Sequence, residues 1–267
     1  MDTNTKTAVV TGASSGIGYA VAKAFVERGH QVVLNGRNED RLARAAAGLD
    51  HPDRLAIVAG DVTRVETADR IVAAAVERFG GIDVLVNNAG IFEARPFTDY
   101  TVGELDGYLG YLRGAYVLSQ AAVRQMRRGG NGGAIVNIGT TLASNGVHGL
   151  PSSAPIAAKG GITALTKNLS VELAADNIRI NAVAPGVVPT PLYGELSQQQ
   201  LDALDGLQPL GRYGTPQDIA EAVLYLAFAT WVTGVILPVD GGVDAGGDGT
   251  FHGTKEAVAA NTARRAG

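Results

Sequence analysis

Eight residues near the amino terminus, Thr11-Gly-Ala-Ser-Ser-Gly-Ile-Gly18, carry the strongest chemical signal in the chain. They follow a short β-branched run and open a helical pattern. Glycines at such a turn let the backbone approach a pyrophosphate, and the start of a helix offers free N–H groups and the positive end of a dipole. Gly12, Ser14, Ser15, Gly16, Ile17 and Gly18 are therefore candidate dinucleotide contacts. The same letters also satisfy Gly-x-Ser-x-Gly, the nucleophile elbow of hydrolases, with Ser14 as nucleophile and His148 or His252 as eligible bases. Two points weigh against the elbow. The turn follows the first strand, so no upstream strand supplies an oxyanion loop, and Gly18 has a role only in the dinucleotide turn. An unliganded tight turn is the third reading.

The elements that must position this turn show in the hydrophobic pattern. Short apolar runs at Thr7–Val10, Gln31–Leu34, Leu55–Val58, Val84–Asn87, Ala134–Ile138, Arg179–Val183 and Val235–Val239 read as strands. Most are apolar throughout, as parallel strands covered on both faces must be. Amphipathic stretches lie between them. Ile17–Arg28 carries a stripe of Ile17, Ala20, Val21, Ala24 and Phe25; Thr67–Phe79 carries Ile71, Val72, Ala75, Val76 and Phe79. Right-handed crossovers assemble this into an α/β fold, a single doubly wound Rossmann-type parallel sheet of about seven strands with helices on both faces.

Composition narrows the chemistry. The 267 residues include no cysteine, which excludes disulfides, thiol catalysis and cysteine metal sites. Four scattered histidines make a histidine metal site improbable, and no metal is expected. A net charge of -4 with dispersed lysine and arginine argues against a nucleic-acid partner. No apolar stretch reaches the roughly 18 residues needed to cross a bilayer, so neither a membrane span nor a leader is expected, and a cytoplasmic location is the default. No linker divides residues 1–242. The segment from Pro185 to about Arg212 holds four prolines beyond a strand's carboxyl end, and 186–212 reads as a substrate lid. Its Leu192, Tyr193, Leu196 and Leu207 suggest an apolar ligand face. Residues 243–267 have no periodic apolar face and read as a flexible tail.

Further motifs follow the glycine turn in order: Asp61-Val62, Asn87-Asn-Ala-Gly90, Lys159, Asn181-Ala-Val-Ala-Pro-Gly186 with Thr190, and Val239-Asp-Gly-Gly242. With them the chain resembles the short-chain dehydrogenase/reductase family over almost all of residues 5–242. The resemblance implies an adenine dinucleotide along the carboxyl edge of the sheet. It places Asp61 and Val62 at the adenine, Asn88, Ala89 and Gly90 beside the ribose, and Pro185, Gly186, Val188 and Thr190 near the nicotinamide. Members that use NAD resemble one another in an acidic residue ending the second strand. Here that strand ends Leu34-Asn35-Gly36-Arg37, with no carboxylate until Glu39. Arg37 has the planar fork that suits a 2′-phosphate, so NADP (NADPH) is the expected cofactor, with Asn35 and Arg37 at its ribose. The alternative is that Arg37 merely starts the next helix in solvent.

The resemblance also implies an asparagine, serine, tyrosine and lysine at the reacting centre, with the lysine lowering the pKa of a tyrosine four residues earlier. Four residues before Lys159 stands Pro155. Proline suits a first helical turn, with Ser153 as an eligible cap. The asparagine position, judged from Leu112-Arg-Gly114-Ala-Tyr116, holds Tyr111, and the serine position after Ala134–Ile138 holds Thr140 beside Thr141. Lys159 alone is retained, and it also suits the nicotinamide ribose. The reading is of an atypical branch without the catalytic tyrosine. Lys159, Thr140, His148 and Tyr111 are the candidate catalytic residues, with Tyr193 or a substrate hydroxyl as further proton sources. Tyr111 sits in a helix, about Val102–Arg127, whose Gly103, Gly107, Gly110 and Gly114 suggest close approach of another backbone or a local distortion. Interface packing is thus an equal reading of Tyr111.

The expected function is an NADP-dependent oxidoreductase, a carbonyl (keto) reductase of a small organic substrate with a substitute proton path. The alternatives are a non-redox isomerase, lyase or cyclase on the same fold, or an inactive nucleotide-binding subunit. Family habit implies a homodimer or homotetramer.

Overall fold

The computed structural model describes residues 5–147, 150–191, 197 and 208–245. Seven strands form one sheet: β1 (Thr7–Thr11), β2 (Gln31–Gly36), β3 (Leu55–Ala59), β4 (Val84–Asn87), β5 (Gly133–Ile138), β6 (Ile178–Pro185) and β7 (Ile236–Val239). Their order is β3-β2-β1-β4-β5-β6-β7, and every pairing is parallel. Among the described residues six α-helices accompany them: α1 (Gly16–Glu27), α2 (Glu39–Ala47), α3 (Val65–Phe79), α4 (Val102–Gly129), α5 (Ser153–Glu172) and α6 (Pro216–Phe228).

Alternation along each strand divides the core in two. Val10, Leu34, Val86, Val136 and Val183 face the side covered by α1 and α6, where Phe25 and Ile219 are fully buried. Val9, Val33, Leu85, Ile135 and Ile180 face the side covered by α3 and α4, with Ile71 and Leu118. The α1 stripe holds, although Ile17 and Ala20 are only partly buried. On α3 the expected stripe holds at Ile71 and Ala75, which are buried, and at Val72 and Phe79, which pack against the same core; Val76 is 37% exposed, and Thr67 and Ala68 point inward as well. A residue five places from Ile71 lies well round a 3.6-residue turn from it.

Strand order reverses between β1 and β4, and the loops leaving their carboxyl ends diverge into a crevice. Everything assigned to the dinucleotide above sits along that edge. No described helix is long and apolar enough to cross a membrane. No metal-ligating cluster occurs among the described residues. Of the expected tail, residues 243–245 are described. Asp244 is held there by Asn145, whose Nδ2 donates to its Oδ1 at 2.6 Å; residues 246–267 lie outside the described residues.

Candidate active site

The glycine turn is built by backbone geometry. Gly12 and Gly16 have φ of +67° and +56°, a region that L side chains rarely adopt. A side chain on Gly12 would also meet Asn88 Nδ2 at 2.8 Å and Ala89 Cα at 3.0 Å. On Gly18 it would meet the Gly12 carbonyl oxygen at 2.3 Å, so helix α1 leaves the turn in direct contact with the strand end. Ser15 is the N-cap of α1 and its hydroxyl makes no cap bond, which leaves the first-turn N–H groups without a side-chain acceptor. An anion seat of backbone donors results.

The neighbouring loop is locked to that turn. Thr11 Oγ1 accepts from the N–H groups of Asn88 and Ala89, both at 3.0 Å, and Asn88 Nδ2 donates to the Thr11 carbonyl at 2.8 Å. Asn88 thus fixes the crevice floor. Asp61 folds back on itself, its Oδ1 accepting from the Thr63 N–H at 2.9 Å, with Val62 buried beside it. On the opposite bank Val188 is buried, and Thr190 stands against Gly16, 3.1 Å from where a side chain there would begin. Gly186 donates to the Val239 carbonyl at 3.1 Å, which pins the start of the expected lid to β7. The fold therefore brings all these candidates to one edge, and the uncapped helix start and glycine cradle fit a dinucleotide pyrophosphate.

At the end of β2 the two candidates behave differently. Asn35 is buried, and its Nδ2 ties β2 to β3 by donating to the carbonyls of Val58 (3.0 Å) and Gly60 (3.1 Å). Its amide is committed to the sheet. Arg37 is exposed at the mouth of the crevice. Two further arginines, unnoticed in the sequence reading, join this end. Arg41 and Arg44 line a shallow depression with Ser14, Ser15 and Tyr19, and Arg41 Nη2 donates to Ser15 Oγ at 3.4 Å. Their three-residue spacing on α2 was the available signal, since such a pair shares a helix face.

Lys159 reaches from α5 to the end of β5, where its Nζ donates to the Ile138 carbonyl at 2.6 Å. The residue as a whole is half-buried, but its amine is enclosed by protein, and this desolvation lowers its pKa to about 8. Its stem passes Gly90, with Nζ 3.6 Å from the position a side chain there would take. Pro155 lies one turn ahead, buried in the first turn of α5, where a missing N–H leaves no bond unmade. The cap expected at Ser153 falls on Ser152 instead, and the Ser152 hydroxyl donates back to the Leu150 carbonyl at 3.2 Å rather than closing the helix.

A small cavity of about 30 Å³ adjoins Lys159, walled by Gly90, Ile91, Asn87, Pro155, Tyr108 and Tyr111 among others. Tyr111 packs on the core beneath α4, and burial pushes its hydroxyl pKa up. Tyr108, one turn earlier, was missed; with Tyr111, Leu112 and Ala115 it forms an i, i+3, i+4, i+7 stripe facing the cavity. Its ring stands edge-on to Tyr100 at 6.2 Å. Thr141 is buried, with its hydroxyl donating to the Pro185 carbonyl at 3.3 Å. Thr140 caps the following turn, its Oγ1 accepting from the Leu142 N–H at 3.3 Å, and keeps its own proton. His148, Leu192, Tyr193, Leu196, Leu207 and His252 lie outside the described residues.

Comparison with known proteins agrees with this fold. A family model described as enoyl-(acyl carrier protein) reductase matches residues 12–244. The chain is 38% identical over 245 residues to the 3alpha-hydroxysteroid dehydrogenase of Mediterraneibacter gnavus, covering 88% of this chain and 96% of that one. It is 40% identical over 251 residues to the cis-4-hydroxycyclohexanecarboxylate dehydrogenase of Sinomonas cyclohexanicum, covering 90% and 97%. Its fold matches the crystal structure of a 3-ketoacyl-(acyl-carrier-protein) reductase from Brucella melitensis complexed with NADH, with TM-score 0.83, 33% identity and coverage of 90% and 98%. The chain belongs to the short-chain dehydrogenase/reductase family. It is an oxidoreductase of that family, whose members use a nicotinamide dinucleotide.

Proposed function

We propose that this protein is an NADP-dependent reductase of a carbonyl group on a small organic substrate, working without the tyrosine usual in its family. The observation that carries the cofactor preference is the end of β2. Gly36 occupies the acidic position of NAD users, with Leu42 Cδ1 at 3.2 Å and Ser14 Oγ at 3.6 Å from where its side chain would begin. An acidic side chain has little space there, while Arg41 and Arg44 bring positive charge beside Ser14 and Ser15, and Arg37, next in sequence to Gly36, is exposed. A guanidinium cluster suits a ribose 2′-phosphate.

When bound, the reduced nicotinamide supplies hydride. The chain's own residues do the rest. Backbone N–H groups at Gly16–Gly18 hold the pyrophosphate. Lys159 steadies the ribose on the β5 side of the crevice, and Thr140 offers an O–H to orient a carbonyl oxygen. Pro155, with no proton to give, also favours a second reading, that the site binds the dinucleotide without consuming it. One experiment separates the two. Purified protein is titrated with NADPH and NADH by calorimetry, then mixed with NADPH and a panel comprising 4-oxocyclohexanecarboxylate, a 3-oxosteroid and a 3-oxoacyl thioester. Tighter binding of NADPH and loss of its absorbance with at least one ketone support the reductase. Binding without consumption across a broad ketone panel supports the second reading, and no binding of either coenzyme rejects both.

A further inference from the structure

A carbonyl oxygen that gains an electron pair must also gain a proton, because an alkoxide is too basic to leave at neutral pH. One turn ahead of Lys159 the chain offers only the ring of Pro155. The groups packed around the Lys159 amine come from five elements, and few of them ionise. Thr11 on β1, Asn87 on β4, the loop through Gly90 and Ile91, and Ile138 on β5 bring no titratable side chain to the cavity; α4 brings Tyr108 and Tyr111. Burial raises the pKa of both tyrosine hydroxyls, which makes them weaker proton donors. No carboxylate walls the cavity among the described residues.

We infer that Lys159 is itself the proton donor of the reaction, a role that rests on the reductase reading above. Its ammonium makes one bond to protein, to the Ile138 carbonyl, and so keeps N–H groups to offer. In the step, the substrate's carbonyl carbon receives the hydride, its π pair moves onto oxygen, and that oxygen takes one N–H proton from Lys159. The amine left behind regains a proton from water. An ammonium depressed toward neutrality by burial is suited to this cycle, whereas an ordinary lysine holds its proton too tightly.

The first test needs no substrate. In protein labelled with [ε-13C]lysine, with K159R used to assign the resonance and K159M in reserve should the arginine not fit, the Lys159 amine should titrate near pH 8. A Lys159 value above 10 overturns the inference. The second uses the ketone found active with NADPH: kcat should be level at low pH and fall about tenfold per unit above about pH 8, with a solvent deuterium effect. A profile level to pH 10 overturns it. In the third, K159R should lose on the order of 100-fold in kcat measured at saturating NADPH, whatever the change in its NADPH affinity by fluorescence titration. A kcat within threefold of wild type overturns the inference. Turnover without these signatures rejects Lys159 alone, whereas folded, NADPH-bound protein that reduces no ketone rejects the reductase reading beneath it.

Discussion

At the scale of single residues, the site separates groups that hold the scaffold from groups that meet a ligand. Asn35, Asn88 and Thr141 are polar and close to the crevice, yet each has hydrogen bonds committed to a neighbouring strand or loop. Arg37 and Lys159 remain to act on something else. The Arg37→Glu variant is expected to weaken NADPH binding at least tenfold while changing NADH binding less than threefold, because a 2′-phosphate would then face a carboxylate. Paired calorimetric titrations check this, and equal losses for both coenzymes would refute the assignment. Gly18→Ala should abolish binding of both and lower Tm. Its new methyl would lie 2.3 Å from the Gly12 carbonyl oxygen, a backbone atom that cannot yield without moving the turn.

Helices and their ends place these residues. Four glycines of α4 divide by environment: Gly103 and Gly107 have open space, Gly110 faces the Thr63 side chain at 3.5 Å, and Gly114 faces the Val62 backbone. The close approach to another backbone is therefore made within the chain, at Gly114. Gly114→Ala places a methyl 2.5 Å from the Val62 carbonyl, and a loss of roughly 1–3 kcal/mol in urea unfolding, with weaker dinucleotide binding, is expected. Helix α6 begins with a capping box in which Thr215 and Asp218 satisfy each other's backbone N–H groups, while Asp218 also pairs with Arg212. The Arg212 hydrogen bond, with the Thr215 donors, holds the Asp218 carboxyl well below the usual carboxylate range. A depressed folded-state pKa stabilises above the unfolded value, about 4, and that contribution is lost as pH falls through it and below. Wild type should therefore lose more Tm between about pH 5 and pH 3 than Asp218→Asn does. Thr215→Ala should cost about 1 kcal/mol at neutral pH.

Across the whole molecule, the crevice is where two halves of the sheet part company, so a ligand there joins β1–β3 to β4–β7. Dinucleotide at one hundred times its Kd should stabilise the fold by about 2.7 kcal/mol. For a chain of this size that corresponds to a Tm rise of roughly 5–10 °C in scanning calorimetry. NADP should give the larger rise at equal concentrations of NADP and NAD.

The strands were legible in the sequence because parallel strands buried on both faces must be apolar almost throughout, and the glycine turn because only glycine tolerates its backbone. The proline before Lys159 was likewise visible by counting. Other features were not readable in one dimension. That Val76 turns out of the α3 stripe, which α4 glycine touches a backbone, how Arg41 reaches Ser15, and which side chains share a cavity with Lys159 all depend on how elements cross. The enclosure of the Lys159 amine belongs with these: desolvation is a property of surroundings drawn from β1, β4, β5 and α4, and no spacing within α5 encodes it. Local pattern thus determined the elements and the cradle, because both depend on backbone preference and side-chain period. Only tertiary packing decided which charges are buried and which are free to react, because that depends on residues far apart in the chain.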